Sequence, residues 1–464
     1  MTRFQELHFG RRVGSRRSTS RAVLALLAAL AVIALGTAPA GATIIEREHS
    51  TEEPYSFVDW SCGYPMEVEG TQSHVVHLRA DKKIDEIVYF SDNYAFTETW
   101  TNADGDSFTV SGNGVVKDVR ARHLEGSVYQ FRVQESGQPR VLRDASGALI
   151  ARDRGNIKFD FTIDLENGAF NFLGLKVAGP HLLFDVDLCK VVAPITGNDS
   201  ASHHTARPIG STDFSMGYYE YLPPSYTDAG AASPLLVFLH GYGETGDGTP
   251  EAIERLLFAG IPRFIDVGGW PTDRPFVVLS LQHVEDAPGF DFGPCEGVEW
   301  GGSCNMQRQH DNDNEQPAFC MTPDEVHDFI TYAVANYNVD PARVYLTGLS
   351  CGAYGLFEYL AAYEGSVQVA AAVPIAGDGR PAWSPSYCGL DETPLWAFHG
   401  ELDDVVNPLG SIEPLEALAA CPGVPADEAK LTVYPDLFHD GWDQAYSGSL
   451  GDDIYSWMLG FSKP

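Results

Sequence analysis

The sequence predicts two folded regions of different class: an N-terminal all-β domain, sandwich or barrel, over 43–194, and a C-terminal α/β domain with a mostly parallel sheet over 217–464. Three observations carry this. Apolar and polar residues alternate with period two in the first region, as half-buried strands require. Apolar strands alternate with helical stretches in the second, the pattern of a parallel sheet covered by helices. Between them, residues 193–215 are polar, aperiodic and rich in Ser, Thr, Gly and Pro, which places a linker at 195–216.

The composition agrees. With 464 residues, 44% apolar and 20% charged, the chain is globular and long enough for two or three cores. Residues 1–42 hold six arginines and one glutamate, so the formal charge of −34 leaves −39 on the rest. Such a surface disfavours nucleic acid and anionic membranes. Arg11, Arg12, Arg16, Arg17 and Arg21 precede an apolar run over 22–35, and Ala40-Gly41-Ala42 follows as an A-x-A site. This is the pattern of a secretory signal peptide over 1–42, and it implies an extracellular protein with no membrane association after cleavage. Export permits disulfides among the eight cysteines. Cys62 and Cys189 are placed to tie the two ends of the β domain. Cys351 reads as a small buried filler, which leaves the pairing of Cys295, Cys304, Cys320, Cys388 and Cys421 unassigned.

In the β domain, Ile157, Phe159, Phe161, Ile163 and Leu165 alternate with polar residues, and Tyr129, Phe131 and Val133 repeat the theme. Asp104-Gly105, Asn113-Gly114, Ser136-Gly137, Ser146-Gly147 and Asn167-Gly168 read as turns, giving roughly eight to ten strands. No helical stretch interrupts them, and no catalytic constellation stands out. Trp60 and Trp100 are candidate platforms for a polymer, with core packing the simpler role for each. His203 and His204 fall in the linker, where adjacent histidines are ordinarily solvated.

In the second region, 234–239 reads as a buried strand ending in His240-Gly241-Tyr242-Gly243, and 275–280 as the next strand. Residues 282–321 form a long Gly-, Asp- and Cys-bearing loop, read as a lid or rim. It contains Asp311-Asn312-Asp313-Asn314-Glu315, but Gln316 stands where a calcium loop needs Gly, so no metal is assigned. Thr322-Pro323-Asp324-Glu325 is a capping box that starts a helix running to about Tyr337. The strand 343–347 then leads into Gly348-Leu349-Ser350-Cys351-Gly352, and 353–363 reads as a helix. G-x-S-x-G between a strand and a helix is the context of a nucleophile elbow.

Acid and histidine follow in chain order. The strand at 395–398 ends in His399-Gly400-Glu401-Leu402-Asp403-Asp404. Either aspartate can supply a carboxylate there, and Asp403 is preferred. The strand at 431–434 leads to His439. Ser350 would be the nucleophile, His439 the base and Asp403 the residue orienting it. The backbone N–H groups of Tyr242 and Cys351 are the candidate oxyanion donors. His240 and His399 read as structural residues of their loops.

From about residue 218 onward, the chain resembles secreted bacterial esterases of the α/β-hydrolase superfamily. The likeness is to the group described as predicted peptidases, polyhydroxybutyrate-depolymerase-like or feruloyl-esterase-like proteins. It rests on Tyr221-Leu222-Pro223-Pro224, on Phe238-Leu239-His240-Gly241-Tyr242-Gly243-Glu244, and on 339–350 around the elbow. Phe398-His399-Gly400 with Asp403, and Tyr434-Pro435 with His439 and Trp442, complete it. The resemblance implies cofactor-free ester hydrolysis by Ser350, His439 and Asp403. It departs at Cys351 and Ala353, where Met and Gly are frequent. The substrate implied is a carboxylic ester, with polyesters and feruloylated or acetylated polysaccharides among the candidates. Two other readings stay open: a serine peptidase using the same triad, and a polymer-binding protein whose hydrolase domain is secondary.

Overall fold

The structure is a computed structural model. It describes residues 44–464 apart from 81–87, 165, 167–169, 185, 285–319, 364, 384–387 and 389–392. The signal peptide, Asn167-Gly168, the acidic run at 311–315, Cys295, Cys304 and nearly all of the 282–321 loop therefore lie outside the described residues. The chain divides into two compact units, Met1–Gly197 and Asn198–Pro464.

The first unit is one eight-stranded antiparallel sheet. Its strands are β1 (Ile44–Asp59), β2 (Met66–Ala80), β3 (Val88–Thr101), β4 (Ser107–Glu125), β5 (Val128–Asp144), β6 (Leu149–Arg152), β7 (Gly155–Asp164) and β8 (Phe170–Ala178). They pair in the order β1-β2-β3-β4-β5-β7-β8, with β6 on β5. This corrects the sandwich or barrel reading: among the described residues the pairs make a single open path.

The reason lies in two glycine dipeptides that read as turns. Asn113-Gly114 and Ser136-Gly137 sit inside β4 and β5, and both strands run straight through them. Gly114 pairs with Gly137, and Gly137 with Gly155 of β7. Gly137 has φ +136°, and a Cβ there would stand 2.5 Å from the Asn113 carbonyl oxygen. Backbones approach so closely along this line that side chains are excluded. The glycines form a seam across three strands, with an apolar cluster on each side. Phe108, Val110 and Leu142 gather with Met66, Leu183 and Val192 on one side. Tyr129, Phe131, Val133, Phe161 and Ile163 gather on the other. Trp100 packs on the first cluster, stacked on Phe108 at 5.7 Å between ring centroids, so its role is core packing.

A helix, α1 (Leu188–Thr196), also belongs to this unit, where no helix and the start of a linker are expected. Pro194, Val191, Val192 and Ile195 hide it from propensity. Asp187 caps it by accepting from the Cys189 N–H, and the Cys62–Cys189 disulfide ties it to the turn between β1 and β2.

In the second unit, β9 (His204–Arg207) and β10 (Tyr218–Tyr221) precede β11 (Ser233–Leu239), α2 (Gly260–Asp266), β12 (Val277–Leu281) and α3 (Pro323–Asn336). β13 (Val339–Leu349), α4 (Cys351–Ala362), β14 (Ala371–Ile375) and β15 (Leu395–Gly400) follow. α5 (Leu409–Ala419), β16 (Ala429–Tyr434), α6 (Trp442–Ser447) and α7 (Ile454–Leu459) complete it. The sheet order is β16-β15-β14-β13-β11-β12-β10-β9. β11 to β16 are parallel, and β9 and β10 add an antiparallel edge.

Both faces are covered, which is why the strands read as continuous apolar runs. Leu235, Val237 and Leu239 meet Phe329 and Ile330 of α3 and Leu356 and Leu360 of α4. Phe238, of opposite parity, meets Tyr446 of α6 at 5.9 Å between rings. The capping box forms: Thr322 Oγ1 accepts from the Glu325 N–H, and Glu325 accepts from the Thr322 N–H.

The linker reading of 195–216 is corrected at β9. Arg207 donates two hydrogen bonds to the buried Glu220 carboxylate, at 3.2 and 2.7 Å, and the Tyr337 hydroxyl donates a third. Four residues are held as a sheet edge by partners lying outside the segment itself. The ring of His204 packs on Tyr219 and that of His203 on Tyr221.

Candidate active site

Five loops that follow parallel strands meet at the C-terminal edge of the second sheet, where open α/β sheets place their ligands. The elbow after β13 is tight. Ser350 has φ +49° and ψ −118°, a strained conformation for a residue with a Cβ. Its N–H donates to the Ile375 carbonyl at the end of β14, 2.9 Å away. Only glycine fits on either side of it. A Cβ on Gly348 would meet the Gly352 carbonyl oxygen at 2.5 Å, and one on Gly352 would run into the carbonyls of Leu239 and His240.

The structure brings Ser350, His439 and Asp403 into one chain of hydrogen bonds. Ser350 Oγ lies 2.9 Å from His439 Nε2, and His439 Nδ1 lies 2.8 Å from Asp403 Oδ2. Asp403 is almost fully buried, and its Oδ1 accepts from the N–H groups of Val405 and Val406, both at 2.9 Å. Burial pushes this carboxyl up, but His439 and His399 outweigh it and hold Asp403 well below the usual carboxylate range. The acid therefore stays ionised, and an acceptor-only partner fixes the proton of His439 on Nδ1. Nε2 is left free to accept from Ser350. Trp442 stands edge-on to the His439 ring, 5.2 Å between centroids, and limits how far it can swing. Asp404 is exposed and makes no hydrogen bond to this chain.

His399 is fully buried: its Nε2 lies 3.1 Å from both Asp403 Oδ2 and the Val406 carbonyl, and its Nδ1 lies 2.8 Å from Ser411 Oγ. Tyr242 opens a short turn after β11, and Cys351 opens α4. A Cβ on the intervening Gly241 would come within 3.6 Å of Ser350 Cβ, which puts that turn against the elbow. The ring of Tyr242 packs on a cluster formed by Cys320, Cys351, Tyr354 and Val406.

Cys351 is not a buried filler. It is bonded to Cys320, with Cα atoms 5.1 Å apart, and Cys388 is bonded to Cys421. Pairing of this kind is decided by Cα separation, which spacing along the chain does not reveal.

Two further residues brace the site without standing out in the sequence. Gln282, fully buried, donates to the carbonyls of Glu244 and Ala252 and accepts from the Gly248 N–H, stapling the loop after β11. The His283 N–H donates to His240 Nε2 at 2.9 Å, and His283 Nδ1 lies 3.1 Å from Glu325 Oε1. Gln282 and His283 thus tie the end of β12 to the loop after β11. The one sequence signal is a polar pair directly after the apolar run of β12. His240 Nδ1 donates to the Gly241 carbonyl, so the ring is a single neutral tautomer. Burial lowers its pKa to about 4.

No protein-family model matches the chain, and no curated protein matches it. Among solved structures the chain is similar to a thermostable esterase, at 20% identity over 74% of this chain and 76% of that one, with a TM-score of 0.38. It is similar to a dipeptidyl peptidase 4 from Porphyromonas gingivalis, at 12% identity over 89% and 72%, TM-score 0.36. A third is an acetyl xylan esterase from Aspergillus awamori, at 14% identity over 53% and 98%, TM-score 0.31.

Proposed function

We propose that the protein is a secreted serine hydrolase of the α/β-hydrolase type that cleaves carboxylic esters through an acyl-enzyme on Ser350. The observation that carries this is the continuous Ser350–His439–Asp403 chain beside a strained elbow. Ser350 attacks the ester carbonyl carbon while His439 Nε2 takes its proton. Negative charge passes to the carbonyl oxygen, which the N–H groups of Tyr242 and Cys351 receive. The tetrahedral species collapses as the alcohol leaves with the proton from His439. Water, deprotonated by His439, then attacks the acyl-enzyme and releases the acid and Ser350. Asp403 stays ionised and stabilises the imidazolium in both halves. Polyesters and acylated polysaccharides are the substrate classes we would try first, with the β-sheet unit as an accessory module. Three disulfides among the described residues fit an exported protein.

The test is hydrolysis of p-nitrophenyl acetate and butyrate by the wild type and by Ser350→Ala. We expect release of p-nitrophenol by the wild type and a loss of at least about 10³-fold in kcat in the variant. Equal rates in the two proteins, or no turnover in either, would remove the esterase reading and bring peptide substrates forward.

A further inference from the structure

The disulfide partner of the elbow is the first of six residues, 320–325, that touch both sides of the proposed oxyanion site. Cys320 is bonded to Cys351, whose N–H is one of the two proposed donors, and both sulfur-bearing residues are buried. Met321 lies against α4, so close that a Cβ on Gly355 would meet its carbonyl oxygen at 2.8 Å. Thr322 and Glu325 lock the turn as the capping box of α3. Glu325 then reaches His283, whose backbone N–H donates to His240, the residue before Gly241 and Tyr242. The second proposed donor hangs from that loop.

We infer that residues 320–325 are a positioning brace for the oxyanion site: the Cys320–Cys351 disulfide sets the Cys351 donor, and Glu325, through His283 and His240, sets the Tyr242 donor. The inference rests on the serine-hydrolase reading. Cys320 and Glu325 touch no reacting atom and act through the backbone they hold. Neither donor loop is fixed by the parallel sheet alone, because each begins where its strand ends. A single rigid turn joined to both gives the two N–H groups one common reference. A donor held by a bond network costs no reorganisation when charge develops, whereas displacement by about 1 Å costs on the order of 10²-fold in rate.

The test compares wild type, Cys320→Ser and Glu325→Ala on p-nitrophenyl butyrate and on its thionoester, in which sulfur replaces the carbonyl oxygen. Donors placed for an oxyanion serve the larger, weaker-accepting sulfur poorly, so the oxygen-to-sulfur ratio of kcat/KM reports their placement and not general folding. For Cys320→Ser we expect kcat on the oxygen ester to fall about tenfold with KM within about twofold, and the ratio to narrow severalfold. Glu325→Ala should show the same signature. Dithiothreitol, oxidised as it opens the bond to two thiols, should narrow the oxygen-to-sulfur ratio of the wild type and leave that ratio unchanged in Cys320→Ser, where, among the described residues, only the Cys62–Cys189 and Cys388–Cys421 bonds remain to open. Should Cys320→Ser fail to fold, the reduced wild type and Glu325→Ala supply the same ratio. Unchanged kcat, or equal losses on both esters, would overturn the brace while leaving the hydrolase reading intact. An inactive wild type, or a Ser350→Ala variant as active as wild type, would defeat the hydrolase reading itself.

Discussion

Asp403 keeps its charge inside the protein because two histidines and two backbone N–H groups surround it, and Asp404 has none of these partners. Asp403→Asn should therefore lower kcat by on the order of 10⁴, since an amide can hold His439 in the wrong tautomer. Asp404→Asn should leave turnover within about twofold; p-nitrophenyl butyrate kinetics decide, and the reverse pattern would reassign the acid. His240 carries a stability signature of its own. Its folded pKa near 4 lies below the ordinary 6.5, so between these values the unfolded chain binds a proton that the folded one refuses. The contribution is complete above pH 6.5 and is lost as pH falls toward 4. Asp118, raised to about 6 by burial, works in the opposite sense over the lower part of that window. The difference between wild type and His240→Asn isolates the histidine: its melting temperature should depend less steeply on pH between 6.5 and 4. At this scale the sequence shows residue types after strands, and so Ser350, Asp403 and His439 were legible. Gln282, Glu325 and Cys351 were not, because their roles depend on partners 30 to 42 positions away.

An element reads clearly when its own residues suffice to form it. The buried strands β11, β12 and β15 and the capped helix α3 do, and their observed ends fall close to the expected ones. β9 and α1 do not: one depends on Glu220 and Tyr337, the other on a disulfide and a core. The elbow tolerates little change. Gly352→Ala would press a methyl group onto the Leu239 carbonyl and the His240 oxygen at 2.7 Å, both of them backbone. We expect destabilisation on the order of 3 kcal/mol by denaturant unfolding. Gly243→Ala, with nothing within 4 Å of the added carbon, should stay within about 0.5 kcal/mol.

Across the whole molecule, the two fold classes were legible from periodicity, while the architecture of the first unit was not. Period two reports which face of a strand is buried, and says nothing about which strand pairs with which. The Cys62–Cys189 bond closes 127 residues, nearly the entire sheet unit. Replacing both cysteines with alanine should cost that unit about 5 kcal/mol in the chain-entropy account, read as a lower-temperature transition in calorimetry. The glycine seam has a mechanical meaning as well. A pleated sheet resists folding across its strands because neighbouring side chains press on one another, and along Gly114, Gly137 and Gly155 there are none to press. The seam is where such a sheet would crease. The Phe96 and Tyr94 rings lie over it, in the space that side chains on Gly112 and Gly114 would otherwise take.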